Sequence, residues 1–319
     1  MDLIPAFDFQ RVFVEPWQID FAGSLQMVLM AFFVSAASGL IGTFLLLRRM
    51  ALMGDTISHS LLPGIVAAFF ISGSRATLPM FIGAAVAGIL TVLLVEYIHK
   101  SSRVKADAAM GITFSSFFAL GVLAIAVFAD QIDLDADCVL YGELEFIPLF
   151  YPVEFLGLPL GTVPLVRMGL VLLGLVALIV AFYRPLVVNT FDPGLGRSLG
   201  LKPKTFHYGM MFVLSLVIVS AFEAVGPIVV IAMLIIPGAS ALLVASRLPH
   251  VLLVSVLLSA LYAISGFHLA VWLDTTTSGA VATVALGYFL LIWAGRLLWQ
   301  RGQQRAAAHE KTAPAIEAA

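Results

Sequence analysis

Nine apolar runs set the terms for this chain. They fall near residues 24–47, 51–72, 78–98, 108–130, 161–186, 206–221, 223–246, 251–272 and 278–298. Each has about the 20 residues a helix needs to cross ~30 Å of hydrocarbon. At that depth no water pairs with backbone N–H and C=O groups, so runs of this length fold as helices that satisfy their own backbone. The sixth and seventh are separated only by the polar Glu223 region and also read as one broken element, which would give eight. The fold class is an all-α polytopic membrane protein. A transmembrane domain over 24–300 lies between an extracytoplasmic segment, 1–23, and a polar, Ala-rich tail, 301–319, expected to be disordered.

Composition agrees. The chain is 61% hydrophobic and 11% charged, with a mean hydropathy of +1.06, against roughly 25% charged residues in soluble domains. A formal charge of -2 offers no basic surface for nucleic acid, and the single cysteine, Cys138, forms no intrachain disulfide or thiolate cage. Asp, Arg, Glu, Pro and Trp precede the first apolar run, so the N-terminus does not read as a cleavable signal and the first span serves as its own insertion signal. Arg48 and Arg49, the His99–Lys105 segment, the Arg197–Lys204 loop, Arg247 and the Arg296–Arg305 tail alternate onto one side. By the positive-inside rule that side is the cytoplasm, leaving the N-terminus outside and the C-terminus inside.

Within this apolar frame, Asp55 and His59 stand four residues apart, on one face of a helix. Counting from Arg49 at ~1.5 Å per residue, His59 lies about 15 Å in, near the bilayer midplane. Ionisable groups at that depth usually mark a pathway. An oxygen and a nitrogen donor together suit Mn, Fe or Zn better than Mg or Ca. Gly54, Ser58, Ser60 and Gly64 keep the helix slim and offer weak hydroxyl ligands, while Pro63 frees a backbone carbonyl. A plainer reading has Asp55 capping a helix that starts late and His59 making an interhelical hydrogen bond.

Three other segments stand out. In the cytoplasmic loop Asn189–Pro203, Asp192 and Pro193 read as N-cap and first helical residue and Gly200 as a stop, giving a two-turn helix. Leu195 and Leu199 form a small apolar face beside Arg197, suited either to the groove of a soluble partner or to the membrane surface. Gly226-Pro227 and Pro237-Gly238 interrupt one apolar segment twice, as ordinary kinks or as backbone lining a cavity. The outer side carries Asp130, Asp133, Asp135, Asp137, Glu143 and Glu145, a run that draws cations or is simply solvated. His268 and Asp274 have a weak claim to metal, His99, His207 and His250 suit helix-end roles, and His309 lies in the tail.

Together these segments resemble the permease subunits of bacterial manganese, zinc and iron-chelate ABC importers. The resemblance runs through Leu47–His59, Asp107–Ile112, Phe191–Pro193 with Leu199–Leu201, Val225–Pro227 with Leu234–Pro237, and Asp274 with Ser278–Ala280, in order across roughly 24–298. It implies a homodimeric or heterodimeric permease core in the bacterial inner membrane, two separate cytoplasmic ATPase subunits and an extracytoplasmic metal-binding protein that delivers Mn, Zn or Fe(II). It carries the metal-contacting role to Asp55 and His59. The ATPase-coupling role goes to Asp192, Pro193, Leu195, Arg197, Leu199 and Gly200. It implies no resident cofactor, because the ion is cargo. Two departures limit it: Tyr141–Phe146 is more acidic than the family's apolar stretch, and Glu223 replaces an uncharged or basic residue, so no ligand role passes to Glu143, Glu145 or Glu223.

No G-x-x-x-x-G-K-[ST] loop occurs, so ATP chemistry would belong to another chain and this one is read as non-catalytic. The alternative is a proton-coupled secondary cation transporter with Asp55 and His59 as a proton relay. An intramembrane protease is disfavoured, since there is no H-E-x-x-H.

Overall fold

A computed structural model describes residues 5–73, 77–128, 144–155 and 158–312. Two short helices, α1 (Phe9–Phe13) and α2 (Glu15–Ile19), precede α3 (Phe21–Leu47). Then come α4 (Leu52–Ser60), α5 (Leu62–Ser72), α6 (Thr77–Ser101) and α7 (Ala106–Phe128). On the outer side, a 3-10 turn over Leu144–Leu149 leads into strands β1 (Pro152–Phe155) and β2 (Leu158–Thr162). The chain returns through α8 (Val163–Ala181), α9 (Tyr183–Phe191) and α10 (Pro193–Ser198), and ends with α11 (Pro203–Val244), α12 (Leu248–Leu273) and α13 (Thr277–Thr312). The described residues hold nine helical stretches long and apolar enough to span a membrane, α4 with α5 counting as one and α11 as two.

Among the described residues, the division of α11 gives nine candidate spans where an unbroken element would give eight. Gly226 adopts φ 70°, ψ 166° in its middle, a backbone region essentially confined to glycine. Pro227 follows without an N–H to donate, so α11 is two helices joined across a kink, and Pro203–Phe222 and Ala224–Val244 count as separate candidate spans. A milder break parts α4 from α5 at Leu61. Pro63 cannot donate to the His59 carbonyl, and the Gly64 amide donates to the Leu61 carbonyl, three residues back, at 3.0 Å.

The centre of the bundle is α3, with 83% of its span buried inside the chain, whereas α7 is 17% and α13 11% buried. Small residues explain how α3 takes that place. A Cβ on Gly42 would run into the Leu234 carbonyl, and one on Gly39 would lie 2.9 Å from Pro237. Without a hydrophobic driving force between helices in lipid, such close backbone approach supplies the van der Waals packing that holds spans together.

Several boundaries depart from the sequence expectation by two or more residues, and three of them have a local cause. The first span begins at Phe21 rather than 24, because Asp20 caps it by accepting from the Gly23 amide at 2.9 Å. The fifth span ends at Ala181 instead of 186, since Pro185 has no N–H for the Ala181 carbonyl, and α9 starts anew. The last helix continues to Thr312, past the point where the tail was expected to lose structure; its Gln, Arg and Ala residues are good helix formers. The antiparallel β1–β2 hairpin, with Pro152 opposite Thr162, was not anticipated in an all-α reading.

Candidate metal path and docking helix

The turn between α3 and α4 begins the site. Arg49 sits in the left-handed region at φ 59°, the Met50 amide donates back to the Leu45 carbonyl at 2.9 Å, and α4 starts at Leu52. Ala51 occupies the cap position without a side-chain bond. Asp55 is therefore inside the helix and not its cap. The partner of its carboxylate is one turn on, with His59 Nε2 3.3 Å from Asp55 Oδ1. Both groups keep access to the outside of the chain, His59 with 27% and Asp55 with 40% of the side chain exposed. The Phe114 and Phe118 rings of α7 wall the imidazole at 5.1 and 6.0 Å between centroids.

The hydroxyls offered by sequence as weak ligands are otherwise engaged. Ser58 donates to the Gly54 carbonyl at 2.9 Å and Ser60 to that of Thr56 at 2.6 Å, both buried. Among the described residues, no group of three or more His, Cys, Asp or Glu side chains is placed to hold a metal ion. What this chain brings together is one oxygen and one nitrogen donor, on a face closed only in part by α7.

The loop helix forms where the spacing puts it. Asp192 Oδ1 accepts from the amides of Gly194 and Leu195, both at 2.9 Å, and Pro193 opens α10. At the other end Gly200 turns left-handed at φ 77°, and the Leu201 amide reaches the Gly196 carbonyl at 2.9 Å, a Schellman-type stop. Phe191, Leu195 and Leu199 are 60%, 49% and 62% exposed, with Arg197 exposed beside them. This is an apolar patch with a basic rim.

Other candidates take structural parts. Trp17 Nε1 donates to His268 Nε2 at 3.3 Å, His268 Nδ1 lies 2.7 Å from the Ile264 carbonyl, and Phe13 stacks on the ring at 4.7 Å. Both nitrogens of His268 are thus occupied, and the ring pins the N-terminal segment to the outer end of α12. Asp274 is the left-handed C-cap of α12. Glu145 Oε1 accepts from the Thr277 amide at 2.8 Å, supplying a carboxylate to the first turn of α13. Asp130, Asp133, Asp135, Asp137 and Glu143 lie outside the described residues, as does the Glu223 side chain.

Sequence reasoning missed a polar cluster at the basic end of the bundle. Arg48 donates through Nη2 to the Asn189 carbonyl at 3.0 Å, and its Nη1 lies 3.3 Å from His207 Nδ1. His207 Nε2 is 3.9 Å from Glu96 Oε1, and Glu96 also pairs with Lys100. Partial burial pulls the Arg48 guanidinium below its ordinary pKa, though a guanidinium stays charged throughout the working range. The available signal was Glu96, the one charge in the third apolar run.

Residues 23–296 match the ABC 3 transport family. The chain belongs to that family. It is 42% identical over 270 residues to the zinc transport system membrane protein TroD of Treponema pallidum, covering 85% of this chain and 73% of that one. It is 41% identical over 251 residues to the manganese transport system membrane protein MntD of Bacillus subtilis, covering 79% and 84%. The solved structure of PsaBC from Streptococcus pneumoniae in complex with Fab superimposes with a TM-score of 0.73 at 31% identity, over 88% of this chain and 94% of that one. The resemblance read from five ordered motifs is thereby borne out: this is the permease subunit of a metal-ion ABC importer, multi-pass in the bacterial plasma membrane.

Proposed function

We propose that this permease passes manganese or zinc inward through a transient site built on Asp55 and His59, and that α10 seats a separate ATPase subunit. The observation that carries this reading is the outward-facing Asp55–His59 pair beside the poorly buried α7. A second permease chain, the same or different, laid against that face covers α7 and brings further donors to the ion. Carboxylate oxygen and imidazole nitrogen suit these divalent ions, and both relatives named above are manganese or zinc systems by their names. Two donors per chain with no thiolate hold an ion weakly, which favours passage over storage.

The chain has no phosphate loop, so ATP hydrolysis is assigned to the partner that docks on Phe191, Leu195 and Leu199. An extracytoplasmic metal-binding protein delivers the ion and sets much of the selectivity. The test is whole-cell elemental content under metal limitation, in a strain lacking the gene and complemented with wild type, Asp55→Ala or His59→Ala. One metal should fall on deletion and return only with wild type. Equal restoration by both variants removes the site, and uptake that persists without any ATPase partner turns the reading to a proton-coupled carrier.

A further inference from the structure

The basic-end cluster joins the two halves of the proposed machine. Arg48 is the residue at which α3 ends, and only the Arg49–Ala51 turn separates it from the helix bearing Asp55 and His59. The Met53 amide donates to the Met50 carbonyl at 3.1 Å, so this turn is continuous with the first turn of α4. Through its guanidinium, Arg48 holds the backbone of Asn189, which is 1% exposed in the last turn of α9. Asn189 in turn touches the docking helix. Its Nδ2 donates to the Pro185 carbonyl at 2.8 Å, and its buried Oδ1 lies 2.8 Å from where a Cβ on Gly196 would stand. Gly196 is the buried residue of α10.

A push on α10 therefore meets Asn189 directly, and Arg48 is the polar link from Asn189 to the turn that starts α4. Meanwhile His207, on the first turns of α11, holds the other arm of the guanidinium at 3.3 Å. A planar fork can grip two elements at once in a fixed relation, which a single ammonium cannot do.

We propose that Arg48 is a positioning residue that transmits displacement of the docking helix α10, through Asn189, to the helix carrying Asp55 and His59. This rests on the function proposed above. Arg48 touches neither the ion path nor the docking patch; its effect is on how well one drives the other. Losing it should leave ATP hydrolysis running while metal movement falls.

The experiment uses the full complex of this chain with its ATPase subunits in proteoliposomes, supplied with manganese- or zinc-loaded binding protein. Metal uptake and ATP hydrolysis are read together for wild type, Arg48→Met, Arg48→Lys and Gly196→Ala. For Arg48→Met, metal moved per ATP should fall about tenfold, a usual size for a coupling term, with ATPase co-purification and basal hydrolysis within about twofold of wild type. Arg48→Lys, which keeps one of the two contacts, should fall between them. Gly196→Ala, which pushes on Asn189 from the other end, should also uncouple, and combining it with Arg48→Met should add little. An unchanged ratio of metal to ATP in Arg48→Met overturns the proposal. So does a loss of uptake that only tracks lost ATPase association, since Arg48 would then serve assembly. A wild-type complex that hydrolyses ATP but moves no metal overturns the function reading itself, and the lever with it.

Discussion

Replacing Asp192 by Ala isolates the contribution of one cap to partner docking. Its Oδ1 satisfies the Gly194 and Leu195 amides at 2.9 Å each, and the site is exposed, so the lost bonds are replaced by water rather than left orphaned. Removing an N-cap of this kind costs about 1 kcal/mol, within a range of roughly 0.5–2. In a long helix that loss would be absorbed. Here α10 has six residues, and so short a helix is marginal without its cap and tertiary contacts. If docking requires the folded helix, the apparent dissociation constant rises as the folded fraction falls, about fivefold for 1 kcal/mol. The assay is binding of the purified ATPase subunit to nanodisc-embedded permease by biolayer interferometry. Asp192→Asn retains a capping oxygen and should bind within about twofold of wild type. Wild-type affinity in Asp192→Ala refutes the reasoning. Asn and Ala variants weakened alike also refute it, since the carboxylate would then be meeting the partner as a charge.

Two further outcomes follow from the outer half and the broken span. Glu145→Leu strips the carboxylate from the Thr277 amide and should cost about 1 kcal/mol, read as a lower unfolding temperature and faster amide exchange over Thr277–Ala280; unchanged exchange there would mean the cap is idle. Gly226→Ala forces a Cβ into a backbone region open essentially to glycine, at a cost of about 1–3 kcal/mol. Its unfolding temperature in detergent should fall, and wild-type stability would show that the break does not depend on the glycine-only backbone geometry.

Features set by local sequence are legible in the residues alone. The presence of the apolar spans, the Asp192–Pro193 start and Gly200 stop of α10, and the Gly226-Pro227 break are each set by residues close together in the chain. The i, i+4 spacing likewise brings Asp55 and His59 within 3.3 Å. What escapes the sequence depends on segments far apart in the chain. Glu145 reads as one more outer acid until Thr277 is brought to it, 132 residues away. His268 reads as a candidate ligand until Trp17 and Phe13 take its Nε2 and one face of its ring. Arg48 reads as a positive-inside marker, a role that many side chains could fill, whereas its grip on Asn189 and His207 arises only where three helix ends converge.

The same geometry argues against treating Asp55 and His59 as a finished site within one chain. A divalent transition ion takes four or more donors, and the pair supplies two. Ser58 and Ser60 donate their hydroxyl hydrogens to their own helix, and Phe114 and Phe118 offer rings in place of ligand atoms. The nearest face open for more donors is the one along α7, which this chain leaves largely uncovered. The proposed site is thus a shared one, whose affinity depends on how closely two chains are held together. A site made and loosened by relative motion of its two halves releases its ion without breaking a complete protein cage, and that motion is what a lever from α10 to α4 would control.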